Sequence, residues 1–367
     1  MCIYLIIDIF LYLLFIGSYK KNIYNVFVIC CMLIFFVMVG HNGIFYGMND
    51  YTSYMNLFLG KNSMYGDLDV KDGYTLELPF YYFNKILRIF PRLPIVYIWG
   101  IAITFCVPLF MIIKKESVNP AFSFLLLMLV KKTGVFFYFM TIHRQMLATT
   151  FFLWAYYIFE HTNIKYKKFY VLILLLLGLF SHSSSYFVLI IAFIVYFIKL
   201  PLSKKTLYTI VLSSLCIGLF IQNTIINNLT ILFGILNNNE EVYRSTHYLV
   251  SGDFNDVQSN SLFALLPMAF LVCAFIHSYT EKELNKKSVK CWLAAFIIYL
   301  ILSTLFLIDR ALLVFFLIGL AGAIPQNIYQ HKIKRIFIFI MPIYLYLAYR
   351  AYSNPDYGLL PYNFIWE

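Results

Sequence analysis

Charge is what this 367-residue sequence has least of. Asp, Glu, Lys and Arg supply 12% of it, too few to clothe in water a chain that is 62% hydrophobic and 20% aromatic. A bilayer is therefore the expected solvent. Nucleotide motifs are missing as well: no GxxxxGK[ST] run is present and no GxGxxG follows a strand, which sets aside a nucleotide-driven pump. The absence of HExxH and GxSxG sets aside zincin and nucleophile-elbow chemistry. Seven cysteines (Cys2, Cys30, Cys31, Cys106, Cys216, Cys273, Cys291) show no CxxC or Cys/His spacing and fall in or at the ends of apolar runs. They read as small core residues, without a disulfide framework or a zinc site. No repeat, low-complexity stretch or soluble domain is visible, so residues 1–367 are expected to form one integral membrane domain.

What is present is a pattern. Segments of about 20 apolar residues, enough to cross about 30 Å of hydrocarbon, recur roughly at 2–19, 22–40, 94–113, 119–139, 145–160, 168–181, 184–199, 206–226, 261–279, 291–308, 311–328 and 336–350. The expected fold is an all-α polytopic transmembrane bundle of about 12 helices. Every second spacer is basic: Lys20 and Lys21; Lys114 and Lys115; Lys165, Lys167 and Lys168; Lys199, Lys204 and Lys205; Lys282, Lys286, Lys287 and Lys290; Lys332, Lys334 and Arg335. These 17 of the 28 cations face only four acids, Glu116, Glu160, Glu281 and Glu283, which marks their side as cytoplasmic. Both termini are then periplasmic, and the net charge of +11 serves topology and not nucleic-acid binding. The N-terminal run lacks a basic n-region and an AxA-like site, so it is expected to be a retained first helix.

The outer side carries two long segments, about 41–93 and 227–260, and a tail, 351–367. Polar loops on one face of a bundle are where chemistry is commonly presented. Glu77, before a Pro and an aromatic run, is a candidate acid or base, or a solvated loop carboxylate. Arg144, with His143 and Gln145 beside it, offers a planar fork for phosphate oxygens, or a snorkelling anchor. His182 is the sharpest local signal. Residues 169–198 must make a hairpin in 30 residues where two full crossings need about 40, so the FSHSSSY turn is expected below the outer surface, where a polar turn needs protein or water around it. A structural histidine is the other reading. Asp309 and Arg310 either pair with each other or leave Arg310 as a second anion ligand. Arg244 and His247, with Tyr243, Tyr248 and Phe254, form a weaker candidate for a polar chain, and Lys131 and Lys132 interrupt the fourth apolar segment.

The order Asp50-x3-Tyr54, Glu77-Leu-Pro-Phe80 with Asn84, Ile142-His143-Arg144-Gln145-x-Leu147-Ala148, and Phe180-Ser181-His182-x-Ser184 resembles the EpsG family of exopolysaccharide and O-antigen (Wzy-type) polymerases. Arg310 with Phe315-Phe316 and Pro325, and Leu360-Pro361-Tyr362, are similar to the family's C-terminal pattern. Two departures are that His143 splits the usual Ile-Arg pair and that Asp72-Gly73-Tyr74 is extra. The resemblance implies a glycosyltransferase of the bacterial inner membrane that joins undecaprenyl-pyrophosphate-linked oligosaccharide units at the periplasmic face, without nucleotide sugar, metal or other cofactor. It implies lipid-linked glycans and membrane lipid as partners, with a chain-length regulator and a flippase of the same pathway. His182, then Glu77, would be the base, and Arg144, Arg310, Gln145, Asp50 and Arg244 would bind substrate. The competing class is a lipid-linked oligosaccharide flippase, which should show matched halves and ionisable residues midway along helices; residues 1–180 and 181–367 show no such likeness. An outer-face acyltransferase or lipid-A-type glycosyltransferase is a third class.

Overall fold

The structure, a computed structural model, describes residues 3–18, 22–40, 49–61, 77–129, 142–182, 185–197, 203–235, 261–302 and 308–352. Among these residues all regular structure is helical. The helices are α1 (Ile3–Gly17), α2 (Ile23–Gly40), α3 (Asn49–Leu59), α4 (Leu78–Leu87), α5 (Pro94–Glu116), α6 (Pro120–Leu129), α7 (His143–His161), α8 (Lys167–Ser181), α9 (Ser185–Phe197), α10 (Lys204–Ile235), α11 (Ser261–Ser278), α12 (Glu281–Leu284), α13 (Lys287–Leu302), α14 (Ile308–Gly322) and α15 (His331–Tyr352). That exceeds the expected dozen. The extra elements are α3 and α4, which fall inside the segment read as a long loop over 41–93, and the one-turn α12. Their apolar stretches are too short for a membrane-length pattern to register them. The loop expected over 227–260 also begins later, because α10 continues to Ile235.

The centre is α6, in which every residue from Pro120 to Leu129 is buried. A helix that is apolar all round has no solvent face to offer and must be enclosed; α1, α2, α5, α14 and α15 all pack on it. Phe122 is stacked between neighbours, with ring centroids 4.5 Å from Phe15, 5.1 Å from Phe337 and 6.1 Å from Phe275. Around this centre α7 pairs with α8 and α13 with α14. One helix, Pro94–Glu116, is both long and apolar enough to cross a bilayer among the described residues; Tyr4–Gly17, Ile23–Met38, Pro120–Leu129, Leu265–Ser278 and Leu312–Gly322 are shorter apolar helices. The outside of the bundle is apolar too: Leu13, Met32, Phe180, Phe193, Phe220 and Phe339 are all exposed.

The basic spacers converge at one end, and hydrogen bonds join them to one another. Lys334 Nζ donates to Ile16 O at 2.7 Å and Ser18 O at 3.1 Å, satisfying carbonyls at the end of α1. Asn119 donates to Ser18 Oγ (2.8 Å) while its own Oδ1 accepts from Phe122 N (3.1 Å), capping α6. Glu116 Oε1 accepts from Tyr156 OH at 2.6 Å and meets His161 Nε2 at 2.7 Å. Lys287 pairs with Glu160 at 2.5 Å, Lys204 Nζ reaches His277 O at 2.9 Å, and Glu283, in a capping box with Thr280, accepts from Gln326 N at 2.6 Å. Tyr329 OH donates to Val118 O at 3.0 Å. Burial pushes this phenol up to about 12, with a Ser18 hydrogen bond pulling the other way, and burial lowers the Lys334 ammonium below the usual lysine range.

Two helices approach so closely that only glycine fits. A methyl group on Gly218 of α10 would overlap the Leu300 carbonyl oxygen of α13, whereas one on Gly17 would meet nothing within 4 Å. Gly218→Ala is expected to destabilise the protein by about 1–3 kcal/mol, as overpacking does, and Gly17→Ala to leave it unchanged. Thermal denaturation of the purified full-length variants tests the contrast.

Candidate functional site

At the opposite end of α5 and α7, four helices bring polar side chains together. Glu77 heads α4 from an extended backbone (φ −63°, ψ 139°), and its carbonyl accepts from Phe80 N and Tyr81 N at 3.1 Å each. Pro79 in the first turn suits that start, since its missing N–H would have had no helical partner. The Glu77 carboxylate makes no cap hydrogen bond to its own helix. It goes instead to Arg144, with Oε2 2.9 Å from Nη1.

Arg144 lies on the first turn of α7 and is held from a second side. Its Nε donates to Tyr54 OH of α3 at 3.0 Å, and the guanidinium carbon stands 5.9 Å from the centre of the Tyr54 ring. Tyr54 is buried; its ring makes an edge contact with Phe80 (5.2 Å) and packs on His143 (5.4 Å). Buried His143 shares a 2.8 Å hydrogen bond between Nδ1 and the hydroxyl of Tyr97, near the start of α5. Arg88, just after α4, donates through Nε to Phe58 O at 2.8 Å and through Nη2 to Leu57 O, fastening the end of α3. The side chains of Arg144 and Glu77 keep 22% and 28% of their surface exposed, so the pair stands where a ligand can reach it. No three His, Cys, Asp or Glu side chains are grouped as metal ligands among the described residues.

The profile of the EpsG family matches residues 28–364, nearly the whole chain. The chain belongs to the EpsG family. No curated protein and no solved structure gives a significant match.

Of the residues that the sequence of this EpsG-family chain marks out, Glu77 and Arg144 come together directly. Gln145, next to Arg144 on α7, is buried, and its Oε1 has no hydrogen-bond partner among the described residues. His182 follows α8 with an extended backbone (φ −166°, ψ 138°), and its carbonyl accepts from Ser185 N at 3.0 Å. The break between α8 and α9 thus falls where the short hairpin requires one. Its depth can be read from the antiparallel pairing of α7 and α8. A methyl on Gly178 would lie 2.9–3.1 Å from the Phe152 ring, so those residues are level. Arg144 is eight residues from that level and His182 four, which puts His182 about 6 Å nearer the middle of the bundle at about 1.5 Å per residue.

Asp50 falls in α3, one turn before Tyr54, and Arg310 in the first turn of α14; their side chains, and that of Asp309, lie outside the described residues. Arg244, His247, Lys131 and Lys132 lie wholly outside them. Tyr97 and Arg88 are site residues that sequence reasoning missed. A single tyrosine in an apolar helix and an arginine before a proline carry no spacing signal. As Gln145 Oε1 already lacks a partner, Gln145→Met is expected to change stability by less than about 1 kcal/mol. Thermal denaturation checks this, and a larger loss would show that the amide serves the fold.

Proposed function

We propose that this EpsG-family protein is a polysaccharide polymerase of the bacterial inner membrane. It joins undecaprenyl-pyrophosphate-linked oligosaccharide units into O-antigen or a related polysaccharide at the periplasmic face. The family, which includes Wzy-like polymerases, supports the chemistry. The observation that carries the reading is the guanidinium of Arg144, oriented on two edges and still reachable, at the end of the bundle away from the basic spacers.

Length supports the membrane setting. Arg144 and His161 are 17 residues apart on α7, about 26 Å, and Tyr97 and Glu116 are 19 apart on α5, about 29 Å. Each is close to the thickness of the hydrocarbon core, about 30 Å. The positively charged end then faces the cytoplasm, and the exposed apolar side chains of α1, α2, α8 and α15 face lipid.

In this reading the pyrophosphate of the donor lipid lies against Arg144, with Arg310 as the second cation. The guanidinium stabilises the negative charge that builds on the phosphate as the anomeric carbon–oxygen bond breaks. The acceptor is a hydroxyl of the non-reducing sugar on the next lipid-linked unit. Its oxygen bonds to the anomeric carbon, its proton passes to a base, and undecaprenyl pyrophosphate leaves with the electron pair. His182, some 6 Å deeper along the bundle, is the first candidate for the base and Glu77 the second. Gln145, Asp50 and Arg244 contribute to substrate binding. A chain-length regulator and a flippase complete the pathway around it.

Arg144→Ala, Arg310→Ala and His182→Ala should each leave the protein in the membrane and reduce surface polysaccharide from a ladder to a single repeat on a gel. Wild-type ladders in all three variants would overturn the assignment. Loss of even the single repeat in a strain lacking the protein would point to a flippase. Arg144→Lys keeps the charge and loses the fork, so long chains should fall by at least about tenfold, in line with a charge-assisted hydrogen bond.

A further inference from the structure

The two edges of the Arg144 guanidinium are held in physically different ways. Tyr54, on the Nε edge, is 2% exposed and wedged between the rings of Phe80 and His143. Its helix is fastened at the far end by Arg88. Glu77, on the Nη1 edge, keeps 28% of its side chain exposed, and its oxygens make no cap bond to α4. One partner is built into the packing and the other is held, among the described residues, by one ion pair.

We propose that Glu77 is an exchangeable partner of Arg144, displaced from Nη1 by the pyrophosphate of a polyprenyl lipid, while Tyr54 stays on Nε and keeps the fork aimed. This rests on the polymerase reading of Arg144 and adds an order of events to it. A pyrophosphate brings more negative charge and more acceptor oxygens than one carboxylate, so it wins the contact when it arrives. A partly exposed ion pair gives little resistance, since pairs that water can reach contribute about 0–1 kcal/mol. Displacement also frees Glu77 Oε2. The carboxylate, the second candidate for the base, can then take the proton of an acceptor hydroxyl only after the donor lipid is seated, which makes donor-before-acceptor the productive sequence for that base and keeps it occupied while no donor is bound. Tyr54 is a positioning residue in this scheme: it touches the arginine and not the reacting atoms.

The experiment uses the full-length protein in detergent, titrated with geranylgeranyl pyrophosphate, and with geranylgeraniol as the probe lacking phosphate. Removing the competing charge in Glu77→Gln should tighten pyrophosphate binding by roughly two- to fivefold, the size of a partly exposed ion pair, with geranylgeraniol unchanged. Glu77→Asp retains the charge but shortens the side chain by about 1.5 Å; it should also bind more tightly, and serves if the glutamine variant is unstable. Tyr54→Phe keeps the ring and loses the hydroxyl, and should weaken binding roughly three- to tenfold at an unchanged melting temperature. If both Glu77 variants bind as weakly as wild type, or more weakly, while Arg144→Gln loses binding, the exchange is refuted and the polymerase reading stands. If Arg144→Gln binds pyrophosphate as wild type does, the polymerase reading fails and the exchange with it.

Discussion

The junction at Glu116 sets the height of everything else. Its Oε1 is shared by Tyr156 and His161 of α7, and its other oxygen lies so close to Gly322 of α14 that a methyl there would overlap it. Three helices are thereby fixed to one another at a single carboxylate. Because α5 and α7 are continuous helices of 23 and 19 residues, joining them at this end also relates their far ends, where Tyr97 meets His143 at 2.8 Å and Arg144 takes its place. The polar web at the basic end is thus the foundation of a site that it never touches.

The same two ends differ in what their polar groups do. At the basic end, Glu116, Glu160 and Glu283 are each engaged across helices, and lysine ammoniums satisfy carbonyls or carboxylates. Apolar helices gain little from sliding past each other, so a set of specific hydrogen bonds is what selects one register. At the other end the contacts come from α3, α4 and the first turns of α5 and α7, of which α3 and α4 have only 11 and 10 residues. Both are nevertheless anchored in the core, through Tyr54, Leu57 and Phe58 of α3 and Phe80, Asn84 and Leu87 of α4, so packing holds these short elements where hydrogen bonds hold the basic end.

Much of this was legible in the sequence. Alternation of basic and neutral spacers identified one end of the bundle, because cations are too costly to place within the apolar length of the helices. The geometry gathers those spacers through contacts such as Glu116 with His161 and Lys334 with Ser18. Glu77 and Arg144 were visible as isolated charges beside apolar runs, but their pairing spans 67 positions and no local pattern carries it. Two helices were missed inside 41–93 because ten apolar-rich residues fit a loop or a short helix equally well. Tyr54 appeared only as part of a motif, and its role as a cradle emerged from rings contributed by two other helices.

The turn between α7 and α8 spans only residues 162–166, with Tyr166 in a left-handed conformation (φ 64°). Lys167 ties it down by donating to Phe159 O at 3.2 Å, and Phe152 fits over Gly178 without space to spare. Mechanically the pair is one rigid hairpin, a ruler with Arg144 and His182 as its two marks. A substrate that engages both is measured against a spacing that the protein cannot adjust. Any adaptation to ligands of different shape must therefore come from the segments around the hairpin.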